Sequence, residues 1–307
     1  MADVISYLLD MIRVRGTAFI GKNLNAPWCM SVEEHSNLAR FHLVLAGEAW
    51  LELPQTGKRE RLGKGDFVIV PNGRPHVLSD EIGRKKTTND LIPNVDIEPN
   101  FQTFDRNSEA THLLCGYFQI SGRTPPTILS RFPDVFIERK GRASQELKTN
   151  LILQIVELEL SKQAAPTPII LNRLTEALCI YVIHRWLART LVEDIQISAL
   201  ADPRLHLVLD EIHADPAGHW TVENLARLYG QSRTAFALQF KAAMGLSPIH
   251  YVTNTRVRLA RKMLEESNLP LDDVAGRTGY ADTNAFNRAF KRETGTAPAT
   301  FRRMSRK

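Results

Sequence analysis

Leu225-Ala-Arg-Leu-Tyr-Gly230-Gln-Ser-Arg-Thr-Ala-Phe236-Ala-Leu-Gln-Phe240-Lys241 returns further along the chain as Val274-Ala-Gly-Arg-Thr-Gly279-Tyr-Ala-Asp-Thr-Asn-Ala-Phe286-Asn-Arg-Ala-Phe290-Lys291. Ala226 and Gly230 map to Ala275 and Gly279 at a shift of 49; Phe236, Phe240, Lys241, Gly245 and Pro248 map to Phe286, Phe290, Lys291, Gly295 and Pro298 at a shift of 50. One residue is inserted between the second glycine and the helix that follows. Each copy reads as short helix, glycine turn, longer helix, the sequence form of a helix-turn-helix. Ser232 and Asp282 are placed to cap the two longer helices.

In the second copy Ala285, Phe286, Ala289 and Phe290 share one face. The opposite face holds Thr283, Asn284, Asn287, Arg288 and Lys291. Hydroxyls, amides and a guanidinium are the groups that hydrogen-bond base edges in a major groove. The first copy offers Arg233, Thr234, Ala237, Leu238 and Lys241, a poorer set suited to a thymine methyl or to DNA shape. Any amphipathic surface helix has a polar face; repetition, glycine placement and charge together outweigh that reading. Between the copies, Ser247 caps and Pro248 opens a helix to Glu266, about 28 Å long. That approaches the ~34 Å between successive major-groove faces on one side of B-DNA. Ile249, Val252, Leu259 and Met263 are its expected apolar stripe. Arg256, Arg258, Arg261 and Lys262, with Arg302, Arg303, Arg306 and Lys307, are expected to hold phosphates.

Charge agrees with this placement. The formal net charge is +5; residues 201–307 carry 16 Lys+Arg against 11 Asp+Glu, and residues 1–200 are neutral. A basic domain on a neutral body points to an anionic partner, nucleic acid first.

Residues from about 203 to 303 resemble the DNA-binding domain of the AraC/XylS family of transcription regulators. Gly279-Tyr280, Ala285-Phe-Asn-Arg-Ala-Phe-Lys291, Gly295, Pro298 and Gly245-Leu-Ser-Pro248 carry the resemblance. Where relatives often have a basic residue, this chain has Leu238.

The first half reads differently. Arg40–Leu45, Ala49–Leu53, Phe67–Val70 and Leu113–Ile120 are short β-prone runs separated by glycine turns, the pattern of an antiparallel sandwich or barrel. Gly65-Asp66-Phe-Val-Ile-Val-Pro71-Asn-Gly73-Arg-Pro-His76 is similar to a second cupin motif, and Phe41-His42-Leu-Val-Leu with Gly47 and Trp50 is similar to the sensor half of one AraC branch. His42, Trp50, His76 and Cys115 are the candidate effector-pocket residues. Metal-binding cupins supply two histidines and a glutamate from the first motif; here that motif shows His42 alone, with His35 and His112 as outlying candidates. Hydrogen-bonded core histidines and an inert core cysteine are therefore favoured over a metal or redox site. The polar stretch 79–110 reads as a mobile loop, with a pocket lid as its functional version. Leu147, Leu151, Ile155 and Leu158, then Ile170, Leu174, Leu178, Tyr181 and Val182, mark two amphipathic helices that either cover the barrel or pair subunits.

The expected fold class is α+β: a cupin-like or jelly-roll antiparallel β-barrel over 1–130, a helical linker or dimerisation region over 131–200, and an all-α DNA-binding domain with two helix-turn-helix units over 201–307. The resemblance implies a sequence-specific transcription regulator, by family tendency an activator. Its partners would be double-stranded promoter DNA, RNA polymerase, an unknown small-molecule or redox effector, and a second copy in a homodimer. The alternative from another class is a cupin metalloenzyme, a dioxygenase or isomerase, with a helical appendage. No catalytic residue, metal or cofactor is expected. Three dispersed cysteines suit a reducing cytoplasm, and neither a leader nor a membrane span is read.

Overall fold

The computed structural model describes residues 2–35, 38–85, 100–101, 110–122, 124, 126–140, 147–161, 167–194 and 199–305. Contacts divide the chain into two compact units: Met1–Thr124 with Arg131–Ala188, and Pro125–Ser130 with Arg189–Lys307.

Among the described residues the first unit has ten strands: β1 (Ile12–Leu24), β2 (Cys29–Val32), β3 (Leu38–Ala46), β4 (Glu48–Leu53), β5 (Lys58–Gly63), β6 (Phe67–Val70), β7 (His76–Ser79), β8 (Asn100–Phe101), β9 (Thr111–Gly122) and β10 (Phe136–Glu138). They form a six-stranded sheet in the order β10-β6-β3-β9-β1-β8 and a four-stranded sheet in the order β2-β7-β4-β5. All pairings are antiparallel except β1 with β8. Val44, Val68, Val70, Leu113 and Cys115 of one sheet meet Met30, Val32, Leu51, Leu62 and Leu78 of the other in one core. Side chains alternate across a strand, so Arg40 and His42 share the inward face of β3 with Val44. The outward face is buried as well: Phe41 stacks on Phe118 at 4.6 Å and tilts against Phe67 at 5.8 Å. Burial on both faces is why β3 is a near-continuous apolar run instead of an alternating one. Gly116 makes room for this, since a Cβ there would lie 2.3 Å from the Phe41 ring.

Helix α1 (Ala2–Met11) precedes β1, and α2 (Pro126–Leu129) belongs to the second unit. The expected amphipathic pair is α3 (Leu147–Ser161) and α4 (Pro168–Glu193). The stretch expected as a separate helical region, 131–200, shares a unit with the sheets as far as Ala188. Two side chains of α4 account for this: Glu176 Oε1 accepts the Gly16 N–H at 2.8 Å, and Asn172 Oδ1 accepts the Ala18 N–H at 2.7 Å. Trp186 adds edge contacts to Phe132 and Phe136 at 5.1 and 5.9 Å. The mobile-loop reading falls largely on 86–99 and 102–109, outside the described residues.

The second unit contains α5 (Pro203–Ala214), α6 (Val222–Tyr229), α7 (Arg233–Met244), α8 (Pro248–Glu266), α9 (Leu271–Arg277), α10 (Thr283–Thr294) and α11 (Pro298–Met304). The sequence repeat is a structural repeat. Ser232, Ser247 and Asp282 cap their helices through the side chain. Gly230, Gly245, Gly279 and Gly295 all take left-handed φ between 75° and 80° at corresponding turns. Each copy is held by a line of aromatic rings. In the first, Tyr229, Phe236, Phe240 and Tyr251 follow one another at 5.3 to 5.7 Å. In the second, Tyr280, Phe286, Phe290 and Phe301 do so at 5.5 to 5.7 Å.

The long middle helix corrects one expectation. Its buried side chains are Tyr251, Val252, Thr255, Val257, Ala260 and Leu264, whereas Ile249 is exposed and Leu259 and Met263 are only half-buried. Helix α8 contacts both copies, so it buries more than one face and no single stripe describes it. Phe290 sits at 0 % exposure in the second copy. Replacing it with alanine is expected to lower the unfolding free energy of this unit by about 3–5 kcal/mol. A urea melt of the full chain checks this as an earlier transition.

Candidate functional site

The caps and glycine turns aim the outer faces of α7 and α10 into solvent. On α7, Arg233, Thr234 and Lys241 are exposed, and Leu238 is 68 % exposed although it is apolar. On α10, Asn284, Arg288 and Lys291 are exposed. Thr283 is half-buried, and its hydroxyl donates to the Asp272 carboxylate of α9. This bond ties the start of α10 to the helix before it. Asn287 is also half-buried.

The basic residues expected to bind phosphate separate into two groups. Arg256 is half-buried; its Nε donates to Pro216 O at 2.9 Å and its Nη2 to Gly218 O at 2.8 Å. Arg302 likewise donates to Leu269 O at 2.6 Å. Arg258 is half-buried and donates to Thr255 Oγ1 at 3.3 Å. Partly buried backbone carbonyls need donors, and Arg256 and Arg302 supply them. Arg261, Lys262 and Arg303 remain exposed, while Arg306 and Lys307 lie outside the described residues.

In the first unit the structure brings together His42, His76 and Cys115, all fully enclosed between the sheets. His76 Nδ1 lies 2.8 Å from Arg74 O. A carbonyl only accepts, so Nδ1 carries the hydrogen. Burial depresses the His76 pKa to about 4, the ring is neutral, and its Nε2 is a bare acceptor. His42 Nε2, 2.7 Å away, must therefore donate to it. Burial, then His76 and Arg40, hold His42 well below its ordinary pKa, so its Nδ1 is bare in turn. That nitrogen accepts the Cys115 S–H at 3.1 Å. Burial pushes the Cys115 thiol up to about 12, and it keeps its proton. The result is a directed chain, Cys115 to His42 to His76 to Arg74 O, in which every member is neutral and satisfied.

This geometry does not suit a single metal ion. Cys115 and His76 approach opposite nitrogens of His42, so the three donors do not converge on one point. Among the described residues no group of three His, Cys, Asp or Glu side chains does so. A thiol held protonated is also a poor nucleophile. The other effector-pocket candidates fall elsewhere. Trp50 is half-buried on the face of β4 opposite Ala49, Leu51 and Leu53, which line the core. His112 lies on the outward face of β9 beside Asn23 Oδ1, and burial lowers its pKa to about 4. The His35 backbone N–H donates to Gly73 O at 3.0 Å.

Two features had no counterpart in the sequence reading. Arg40 is buried beside the relay, with its guanidinium 5.9 Å from the Tyr117 ring centroid, and burial lowers its pKa. The signal was available: Arg40 and His42 stand two apart in a strand and so share a face. The second is an open cavity of about 750 Å³ outside the barrel core, where Ile12, Val14, Ile169 and Ile180 face Arg15 and Glu176.

A family model described as Cupin matches residues 3–188, and one described as Helix-turn-helix domain matches residues 225–304, across both helical copies. The chain belongs to the AraC family of transcriptional regulators, in the branch with an N-terminal cupin domain. Among its relatives is the RCS-specific HTH-type transcriptional activator RclR of Escherichia coli K12, 26 % identical over 99 % of this chain and 98 % of that protein. The HTH-type transcriptional regulator AlkR of Acinetobacter baylyi is 26 % identical over 99 % of this chain and 100 % of that protein. Among solved structures, the DNA-binding domain of AdpA in complex with a target DNA is 31 % identical, covering 34 % of this chain and 94 % of that one at a TM-score of 0.33. This AraC-family chain is thus a DNA-binding transcriptional regulator, and no helix among its described residues is long and apolar enough to cross a membrane.

The neutral histidines have a consequence for stability. His76 titrates near 6.5 when unfolded and near 4 when folded, so the unfolded state takes up its proton first. Its contribution is intact above pH 6.5, declines by about 3 kcal/mol as pH falls to 4, and is flat below. Thermal melts should show the first unit losing stability across this window. A His76→Gln variant should show a shallower decline.

Proposed function

We propose that this AraC-family regulator reads promoter DNA with α7 and α10 set in successive major-groove segments of one duplex face. The observation that carries the reading is the repeated geometry: two capped helices with matching glycine turns, each turning polar or cationic side chains outward from a basic unit. Arg288, Asn284 and Lys291 lead the readout from α10, with Asn287 offering a donor and Thr283 acting first as a strut to Asp272. Arg233, Thr234 and Lys241 contact the backbone or bases from α7, and the exposed Leu238 meets a thymine methyl. Arg261, Lys262 and Arg303 hold phosphates.

The regulator is proposed to act in the cytoplasm as an activator through RNA polymerase, activator being the printed role of the E. coli relative. The cupin unit is the sensor, and the cavity between β1 and α4 is the effector seat. A ligand there stands next to the Glu176 and Asn172 bonds that fasten α4, so a sensor conformation can be favoured by differential binding. The filled barrel centre is a weaker seat, and with the relatives named as transcriptional regulators we assign the chain a regulatory role in place of an enzymatic one. Leu151, Ile155 and Leu158 form an apolar stripe on α3, exposed by 48 %, 48 % and 54 %, and we assign it to a homodimer interface.

Selection of bound fragments from random DNA by the full chain should yield a motif with two patches about one helical turn apart. On the selected site, Arg288→Ala should weaken binding by about 1–3 kcal/mol and relax discrimination at one base position. Unchanged affinity and specificity in gel-shift titrations would remove Arg288 from the readout. Leu158→Glu should raise the dimer dissociation constant by at least about tenfold in analytical ultracentrifugation. An unaltered self-association would place the interface elsewhere.

A further inference from the structure

We infer that Arg256 is a specificity-determining positioning residue: by locking the two helix-turn-helix copies together it sets the spacing between the two DNA patches that the regulator accepts. The inference rests on the two-copy reading above and adds a determinant that touches no DNA.

The junction is specific. The loop between α5 and α6 folds back on itself, with Trp220 Nε1 donating to Asp215 O at 2.7 Å and the Trp220 N–H to Gly218 O at 2.8 Å. This leaves the carbonyls of Pro216 and Gly218 facing α8. The Arg256 guanidinium takes both, one through Nε and one through Nη2. Its central carbon lies over the Tyr280 ring, 5.6 Å from the centroid. Tyr280 follows the glycine turn of the second copy, so one side chain bridges the loop ahead of the first copy and the turn within the second.

Gly279 shows how close the approach is. A Cβ at that glycine would fall 2.6 Å from Ala217 O and 2.9 Å from Arg256 Nη2. The turn of the second copy therefore rests on the loop that leads into the first with no side chain between them. Burial lowers the Arg256 pKa, while nearby Tyr280 and Asp215 raise it. Lysine is no substitute: a single ammonium cannot offer the planar fork that spans two carbonyls. At the start of α8, His250 Nε2 lies 3.1 Å from the Glu293 carboxylate near the end of α10, a second tie from the same helix to the second copy.

A rigid link raises the effective concentration of the second contact only at the separation it holds; a loosened link spreads that advantage over neighbouring separations. The test uses the full chain and a pool of duplexes carrying the two selected patches with spacers of varied length. Wild type should select one spacing sharply. Arg256→Met should bind that spacing more weakly and lose about tenfold or more of its preference over spacers one base pair longer or shorter. Arg256→Lys, which keeps the charge, should lose most of the same preference. Spacing preference is the deciding readout, because a residue that only stabilised the fold would lower affinity for every spacer alike. Folded Arg256 variants with the wild-type spacing profile would overturn the inference and leave the two-copy reading standing. If Arg256→Met does not fold, Gly279→Ala, which disturbs the same junction while keeping the guanidinium, decides by the same profile. A wild type that selects no two-patch site would overturn both.

Discussion

Helix α8 must satisfy two modules at once, and the C-terminal unit depends on how it does so. Val257, Ala260 and Leu264 enter the aromatic core of the second copy. Tyr251 closes the ring line of the first and pairs its hydroxyl with His213 Nε2 at 2.9 Å. A helix committed on both sides cannot swivel to suit either partner. Arg261 and Lys262 stay exposed on the remaining side, while Arg256 is taken up by backbone carbonyls. Duplication alone would leave two independent modules; the shared helix joins them into one unit.

The cupin unit faces a different constraint, which is how to enclose imidazoles, a thiol and a guanidinium between two sheets. The imidazoles and the thiol are accommodated by surrendering charge. Each nitrogen or sulfur in the relay has one role, donor or acceptor, and the Arg74 carbonyl at the end fixes the direction of the whole chain. Neutral groups linked in this way avoid the desolvation penalty that buried ions incur. The same neutrality removes the reactivity that histidines and a cysteine at the heart of a cupin would suggest from their chemistry.

What was legible in the sequence follows from what is local. The helix-turn-helix copies declare themselves because caps, glycine turns and paired phenylalanines fall at fixed short spacings. β6 was read to the residue and β3, β4 and β9 nearly so, since apolar runs between glycine turns have few other solutions. Contacts that depend on register stayed hidden. His42 meets His76 and Cys115 across 34 and 73 residues, and only the sheet order makes them neighbours. Arg256 was read as a surface cation because charge type says nothing about burial. The stripe on α8 was misassigned because the period method assumes one buried face. Helix α1 carried only a short apolar stretch before β1, too little to distinguish it from a strand.

The two hydrogen bonds from α4 to β1 have a wider implication. Among the described residues β1 pairs with β9 and, at Ile20 and Gly21, with β8, so Gly16 and Ala18 turn their amides toward a rim that no described strand covers. Such a rim invites an extended segment of another polypeptide to add itself on, the first step toward fibrils or swapped oligomers. Side chains from a helix occupy those amides instead. The molecule thereby covers with its own helix a stretch of backbone on which a foreign strand could otherwise template.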